Sequence, residues 1–373
     1  MPVVAIPPSP STRTEAGGGL RLGTLGDHAG WRALAEHGSI SAPFVDEAWA
    51  TSWIDAFQPP EPVLVGAWEG ELLVGLAAMQ RLSERWAGRK ISVLQSLTNV
   101  ECTRFDFLAW RERLDVLERL WRFLCAEGRC DVIRLDHVPE GSPTLLTGLK
   151  VATELGWHSH IYQTFESPWR ALLPPPASWD EGLARKFKSN LRNRESRIQA
   201  LGRGDVTFEI ATGNALKRAF EIYYELDSHS WKSEHGSAVF QQANVKRFYD
   251  LLVERAPEQI WIPLLAVNGE PAAAQFLLVR DRWMYLQKTA YSPTFAPYAP
   301  GQLLTARLVR HGIAHGMEAL DFLAANMTWK ADWAPRIRPH YQLLLFAPSP
   351  RGRYAYWSRY GVRQSAKALL RRR

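Results

Sequence analysis

The sequence predicts an α/β protein with two tandem domains of similar layout, in which mixed central sheets are flanked by helices. The prediction rests first on two matching hairpins, AWEGELLVGLAA at residues 67–78 and AVNGEPAAAQFL at residues 266–277. Each hairpin is followed by a strand, a helix and a second strand that carries a Leu-Asp pair, Leu135-Asp136 or Leu320-Asp321. This shared order of elements indicates a duplication.

Composition and proline-rich stretches mark the predicted domain boundaries. Residues 1–19 are predicted to be a disordered leader, because their prolines interrupt every apolar run. We expect the first domain at residues 20–170, the second at residues 177–348 and a basic tail at residues 349–373. The Pro-rich region at residues 174–176 joins the two domains.

Apolar spacing predicts the elements of the first domain. Helices are predicted at residues 27–38, 45–57, 111–127 and 142–155. The hairpin strands are predicted at residues 63–68 and 72–81, and further strands at residues 91–97, 105–109, 131–138 and 160–166. Pro59-Pro60 ends the second helix, since proline cannot continue it.

The second domain is predicted from the same patterns. Helices are expected at residues 214–231, 243–256 and 301–316. Strands are expected at residues 260–267, 272–280, 283–290, 318–323 and 341–346. Between the domains, RKFKSNLRNRESRIQALGRG (residues 185–204) is predicted to be an amphipathic helix that ends at Gly202. Its basic face, which includes Arg192, is either solvated or borders an anionic ligand.

The composition is that of a globular protein, and its charge favours an anionic ligand, nucleic acid or membrane headgroups as partner without choosing among them. Hydrophobic residues make up 46% of the chain, and 45 Lys and Arg against 38 Asp and Glu give a net charge of +7. The three cysteines form no C-x-x-C motif, so we expect reduced thiols in a cytoplasmic protein. No signal peptide and no membrane-spanning stretch is predicted.

Pro300-Gly301 is the first functional signal. Proline and glycine at the start of a helix leave the first N–H groups unbonded at the positive end of the helix dipole. Such a helix start is a seat for a phosphate or another anion.

Five motifs of the second half occur in the order seen in a known family. They are KFKSNLRNRESR (186–197), HSWK (229–232), YAPGQLL (298–304), LDFL (320–323) and WKADW (329–333). With them the chain resembles the GNAT-fold acetyltransferase domain of the bacterial CelD-like (BioF2-like) proteins. Those proteins are linked to cellulose and exopolysaccharide production and are related to the Fem-type peptidoglycan aminoacyl transferases. The resemblance covers residues 179–347, and the first half matches in layout only.

The resemblance implies acetyl-CoA or another acyl-CoA as co-substrate, bound between two splayed parallel strands. The implied cofactor-binding residues are Gln287, Thr289, Pro300, Gly301, Gln302, Leu303 and Arg307. YAPGQLL lacks the longer glycine-rich loop with basic residues that is usual in this fold, which leaves the length of the acyl group open. The first half has no Pro-Gly turn before its helix at residues 111–127, so we expect it to bind no cofactor and to shape the acceptor cleft.

Acyl transfer needs a base for the attacking amine or hydroxyl. His229 and Asp321 are the first candidates, with Asp227 behind them and Lys330 as a further catalytic candidate. Each has a structural alternative, such as a surface histidine or an ion pair between Asp321 and Lys330.

Arg192, Trp231, Lys232 and Trp329 are predicted to bind the acceptor, although the tryptophans fit a core equally well. His311 and His315 are four residues apart on a helix, but no third ligand accompanies them, so no metal is predicted.

Together these observations predict a cytoplasmic acyl-CoA-dependent acyltransferase. Its acceptor would be an amine or hydroxyl of a sugar or of a cell-envelope or exopolysaccharide precursor. The alternatives are a Fem-like aminoacyl transferase that uses aminoacyl-tRNA, the only case in which we expect nucleic acid as a partner, and a non-catalytic accessory protein of polysaccharide synthesis. The basic tail is either solvated or attracts the protein to the inner membrane face or to a synthase complex.

Overall fold

A computed structural model describes residues 20–38, 40, 42–228, 242–333 and 336–361. The first half contains β1 (Arg21–Thr24), α1 (Trp31–His37), α2 (Glu47–Phe57), β2 (Pro62–Glu69), β3 (Leu72–Trp86), β4 (Arg89–Ser96), β5 (Leu108–Ala109), α3 (Leu114–Glu127), β6 (Val132–Pro139), α4 (Pro143–Glu154) and β7 (His158–Ala171). The second half contains α5 (Arg185–Leu201), β8 (Val206–Ala211), α6 (Leu216–Ser228), α7 (Ala243–Arg255), β9 (Ile260–Val267), β10 (Glu270–Arg280), β11 (Trp283–Tyr291), α8 (Pro300–Ala314), β12 (Ala319–Asp321), α9 (Thr328–Ala331), β13 (Arg336–Phe346) and α10 (Pro350–Tyr356).

The strands of both halves belong to a single mixed sheet. Within the described residues its order is β1-β2-β3-β4-β6-β13-β7-β12-β11-β10-β9-β8, and β5 pairs with β3. The β4–β6 and β11–β12 pairs are parallel, and their neighbours are antiparallel. Helices flank this sheet, which confirms the predicted α/β class.

Strand β13 lies between two strands of the first half, although it comes late in the chain. Phe346 is opposite Val132 of β6 on one edge and opposite His158 of β7 on the other. Leu343 and Leu345 enter one apolar core, and Leu344 and Phe346 enter another on the other face. A central strand buried on both faces requires such a continuous apolar run.

Helices of the two halves also share one apolar core. Trp49 of α2 packs edge to face on Phe248 of α7, with ring centroids 4.9 Å apart, and Phe44 packs in the same way on Tyr285 of β11 at 5.5 Å. The remaining helices cover each half separately, with α3 and α4 in one core and α5 and α8 in another. The first half is therefore held against the second over a wide contact.

Several predicted boundaries differ from the structure. The strand predicted at residues 318–323 ends at Asp321, because Leu323 and Ala324 adopt left-handed backbone angles, with φ of 53° and 49°. The predicted strands at residues 160–166 and 341–346 are both longer, His158–Ala171 and Arg336–Phe346, since each continues into a polar stretch. Of the helix predicted at residues 214–231, the part beyond Ser228 lies outside the described residues.

The described part of the chain contains no helix that combines the length and apolar character needed to cross a membrane. The basic tail is described up to Gly361, where α10 is followed by a turn of π-helix, and its residues 362–373 lie outside the description.

Leu345 tests the role of β13 in stability. Its side chain is fully buried, so Leu345→Ala should lower the free energy of unfolding by about 2–5 kcal/mol. The matched change Ile337→Ala, on a residue of the same strand that is 38% exposed, should cost about 0.5 kcal/mol. Urea unfolding followed by circular dichroism measures both variants. Equal costs would show that β13 is not held in the core of the sheet.

Candidate active site

The parallel strands β11 and β12 pair briefly and then separate. Their pairing runs from Trp283 opposite Ala319 to Tyr285 opposite Asp321. Strand β11 then continues to Tyr291, whereas β12 ends. Among the described strands, none pairs with this edge of β11 beyond Tyr285, so an opening lies beside residues 286–291.

The corresponding place in the first half is arranged differently. The parallel pairing of β4 with β6 ends at Gln95 opposite Arg134. Beyond it the chain turns back, and the N–H of Phe105 donates a hydrogen bond to the carbonyl oxygen of His137 at 3.1 Å. The segment after β4 thus lies across the first opening.

A bulge in β11 places Gln287 beside the second opening. Gln287 is the extra residue of the bulge and has no residue opposite it in β10. Its Nε2 donates to the carbonyl oxygen of Glu101 at 2.6 Å, while its Oε1 is buried and accepts no hydrogen bond from any residue that the structure describes. A buried acceptor without a donor costs stability, so Oε1 is suited to a donor from a ligand.

Glu101 fixes the first-half segment against β11. Its side chain is 5% exposed, and its Oε2 accepts a hydrogen bond from the Tyr249 hydroxyl at 2.7 Å. Lys288 Nζ pairs with the same oxygen at 2.8 Å. The wall of the opening therefore combines residues of both halves.

The N-terminus of α8 lies next to the outer end of this opening. Ala299 precedes the helix with φ of 49°, Pro300 is its first residue, and no side chain caps it. A Cβ atom added to Gly301 would lie 3.3 Å from Thr289 Cγ2 of β11. The structure thus brings Pro300, Gly301 and Thr289 together at a helix N-terminus, where an anion is favoured.

The other predicted cofactor residues have partners within the protein. The Trp333 indole N–H donates to Gln302 Oε1, and Leu303 is buried in the core. Arg307 pairs with Glu195 of α5 at 2.6 Å and donates to a β8 carbonyl oxygen at 3.4 Å. Its guanidinium group is directed at α5 and β8, so the phosphate contact expected from the sequence competes with this ion pair.

Asp321 is buried at the point where β11 and β12 separate. It is 1% exposed, and its Oδ1 accepts hydrogen bonds from Ser167 Oγ at 3.2 Å and from the N–H of Leu323 at 2.9 Å. Arg338 pairs with its Oδ2 at 2.8 Å. Three donors stabilise the carboxylate as an anion. The sequence-based alternative paired Asp321 with Lys330, but its ion-pair partner is Arg338.

Lys330 is buried in the turn that follows β12. It is 7% exposed, and its Nζ donates to the carbonyl oxygens of Leu323 at 2.7 Å and Ala325 at 3.3 Å. Burial lowers the pKa of Lys330 to about 8, against the opposing effect of the nearby Asp321 carboxylate. A neutral amine has two N–H groups and one lone pair, so the two carbonyl contacts leave the lone pair of neutral Lys330 available to accept a proton.

Of the residues predicted to bind the acceptor, Trp329 and Arg192 are described, and each contacts another part of the protein. Trp329 packs on Phe322 with ring centroids 6.0 Å apart. The side chain of Arg192 is 73% exposed and lies 4.0 Å from Asp180. The remaining predicted residues, His229, Trp231 and Lys232, lie outside the described residues.

Sequence reasoning missed a group of aromatic and basic side chains beside Asp321. The rings of Trp169 and Trp283 lie 5.1 Å apart, and the Arg338 guanidinium lies 5.4 Å from each ring centroid. Arg336, Arg338 and His340 alternate at the start of β13. That alternation in the run RIRPH was the signal available in the sequence, since alternate residues of a strand share one face.

Comparison with known protein families assigns the region that contains this opening to a described domain. Residues 185–331 match the family model described as Acetyltransferase (GNAT) domain. The second half contains a GNAT-fold acyltransferase domain. This domain supports an acyltransferase activity, and a GNAT domain implies an acyl-CoA co-substrate. No curated protein sequence matches the chain.

Solved structures share the fold of most of the chain. The crystal structure of FemX has 12% sequence identity and a TM-score of 0.59, covering 86% of this chain and 96% of that one. The C-terminal domain of an Agrobacterium fabrum protein described as a lysylphosphatidylglycerol synthetase has 14% identity and a TM-score of 0.53, covering 80% and 87%. L-PGS from Bacillus licheniformis has 13% identity and a TM-score of 0.51, covering 84% and 96%. At these identities the likeness establishes the fold alone.

Proposed function

We propose that this protein transfers an acyl group from acyl-CoA to an amine or hydroxyl of a sugar or cell-envelope precursor. Acetyl is the acyl group that we expect. The observation that carries the proposal is the separation of β11 from β12 beyond Tyr285 and Asp321. It leaves an opening with a helix N-terminus at one end and a buried polar cluster at the other.

The residues around the opening fit an acyl-CoA. The unpartnered Gln287 Oε1 can accept a hydrogen bond from an amide N–H of the pantetheine arm. Gly301 has no side chain at the first turn of α8, where the positive end of the helix dipole favours a pyrophosphate. Bound acyl-CoA supplies an activated thioester carbonyl.

Lys330 is the residue we propose as the general base. In its neutral form it accepts a proton from the attacking amine or hydroxyl, and its pKa of about 8 makes that form abundant just above neutral pH. The carbonyl oxygens of Leu323 and Ala325 hold the amine in place. Asp321 already accepts three hydrogen bonds, which suits it better to orienting Arg338 than to taking a proton.

The sugar acceptor is supported by the resemblance to CelD-like proteins and by the aromatic side chains near Asp321. Trp169 and Trp283 present ring faces of the kind that stack on sugars, next to the Arg338 guanidinium. This group lies at the opposite end of the opening from Gly301, so donor and acceptor would approach the same point from two sides.

Isothermal titration calorimetry with acetyl-CoA and with longer acyl-CoAs tests the proposal. We expect a dissociation constant between about 1 µM and 1 mM for at least one of them. The tightest binder would identify the acyl group. Absence of binding by every acyl-CoA would contradict the proposal, and transfer of a labelled amino acid from aminoacyl-tRNA would favour the Fem-like alternative instead.

A further inference from the structure

Arg104 is a half-buried arginine of the first half. It lies in the segment that crosses toward β11, and within the described residues no ion pair joins its guanidinium to a carboxylate. Its Nε is buried and makes no hydrogen bond to any described residue. The nearby carboxylate of Asp106 is buried and accepts hydrogen bonds from Ser142 Oγ at 2.9 Å and from the N–H of Phe107 at 3.0 Å. A buried N–H group without an acceptor costs free energy unless a ligand satisfies it.

The positive charge of Arg104 affects residues where β6, β13 and β11 come together, a region called the junction below. It acts on His340 and Arg338 of β13 and, together with burial, lowers the pKa of both. It also acts on Tyr285, the last residue of β11 that pairs with β12. The segment that carries Arg104 accepts a hydrogen bond from Gln287 of β11 at Glu101 and donates one to His137 of β6 from Phe105, so Arg104 lies between β11 and β6 at the inner end of the opening.

A second unpartnered nitrogen lies in the same junction. His137 Nδ1 is buried and makes no hydrogen bond within the described part of the chain, and the backbone of His137 has φ of 60°. The ring of Phe165 lies between two histidines, with centroids 5.2 Å from His137 and 4.8 Å from His340. Because the carbonyl of His137 binds the N–H of Phe105, the residue after Arg104, the two unpartnered groups are close along the chain.

We propose that Arg104, assisted by Arg338 and His137, binds an anionic group of the acceptor, either a phosphate or a carboxylate. This inference extends the proposed function. It depends on that function because only an acyltransferase has an acceptor for the site to bind. Among the described residues the ion-pair partner of Arg338 is Asp321, and Arg104 forms no ion pair with any of them. An oxyanion would supply charge-assisted hydrogen bonds to the guanidinium groups.

This anion site is distinct from the one at α8. Gly301 faces Thr289 at the outer end of the opening, whereas Arg104 acts on Tyr285 at its inner end. Four residues of strand separate Thr289 from Tyr285, a distance of about 13 Å. One phosphate cannot occupy both places, so an acyl-CoA phosphate at α8 leaves the inner site for the acceptor.

Matched sugars test the inference on the full chain saturated with CoA, which fills the outer site. Glucose, glucose 6-phosphate and glucuronate differ only in the anionic group, and calorimetry measures their affinities. We expect at least one anionic sugar to bind about tenfold or more tightly than glucose. A preference for glucose 6-phosphate would identify the anionic group of the acceptor as a phosphate. A preference for glucuronate would identify it as a carboxylate, and either result supports the anion site.

Arg104→Gln should abolish that preference, whereas Arg104→Lys should keep part of it. Arg119→Gln, on an exposed arginine of α3, is the matched control and should leave the preference intact. Equal binding of all three sugars by the unmodified protein, or a preference that survives in Arg104→Gln, would overturn the inference. CoA binding and thermal melting are recorded for every variant. If the unmodified protein did not bind CoA, the proposed function would be refuted. The effect of Arg104→Gln on the preference for an anionic sugar would still show whether the anion site exists.

Discussion

Replacing Lys330 by methionine should lower kcat by about 10²–10⁴-fold, the usual contribution of a general base. Methionine keeps the length and apolar stem of lysine but cannot accept a proton. Release of free CoA thiol, followed with the best acceptor of the unmodified protein, measures the loss. The dissociation constant of acyl-CoA should stay within about threefold, since Lys330 is assigned to the proton of the acceptor and not to the donor.

The pH dependence separates this role from a structural one. The pKa of Lys330 is lowered to about 8, and only the neutral amine acts as a base, so kcat of the unmodified protein should rise with pH and level off above about 8. The residual rate of Lys330→Met should lack this rise. Lys150→Met, on an exposed lysine that pairs with Glu118, is the control and should keep both rate and profile. A Lys330→Met variant with an unchanged pH profile would exclude Lys330 as the base.

Replacing Gly301 by tryptophan should raise the dissociation constant of acyl-CoA by about 100-fold or more. The indole would cover the first turn of α8, where even a Cβ atom lies 3.3 Å from Thr289 Cγ2. Exclusion of the pyrophosphate from the positive end of the helix dipole by the indole accounts for a change of this size. Calorimetry with the acyl-CoA that binds the unmodified protein most tightly makes the measurement.

Gly26→Trp is the matched control, because nothing lies within 4 Å of a Cβ atom at Gly26 and its φ is not positive. It should leave both affinity and melting temperature unchanged. A Gly301→Trp protein that melts normally and binds acyl-CoA as before would remove α8 from the donor site. Thermal melting of both variants guards against a loss of affinity that comes from unfolding.

The sequence predicts the local parts of the fold and the parts of the site that depend on them. The two hairpins are recognisable because a Gly-Glu turn separates alternating apolar residues, and Pro300-Gly301 marks a helix start by itself. Gly301, Asp321 and Lys330 were predicted as site residues from such local signals. The structure places Asp321 and Lys330 in one buried cluster and Gly301 at the other end of the same opening.

What the sequence did not predict depends on which strands become neighbours. Ser167, Arg338 and Asp321 are in contact because β7 pairs with both β13 and β12, and hydrophobic periodicity does not specify such partners. The polar start of β13 was also missed, since Arg336 and Arg338 interrupt the apolar pattern that marks the rest of the strand. Arg104 gave no signal because it lies in a segment without periodicity.

The position of β13 has a consequence for how this protein is made. Val132 meets its partner Phe346 only after more than two hundred further residues have been added, so the sheet of the first half stays open between β6 and β7 during most of synthesis. Contacts so distant along the chain slow folding and expose apolar strand edges meanwhile. The second half is thus synthesised before the first can close, and a chain cut between the halves would leave β6 and β7 without the strand that joins them.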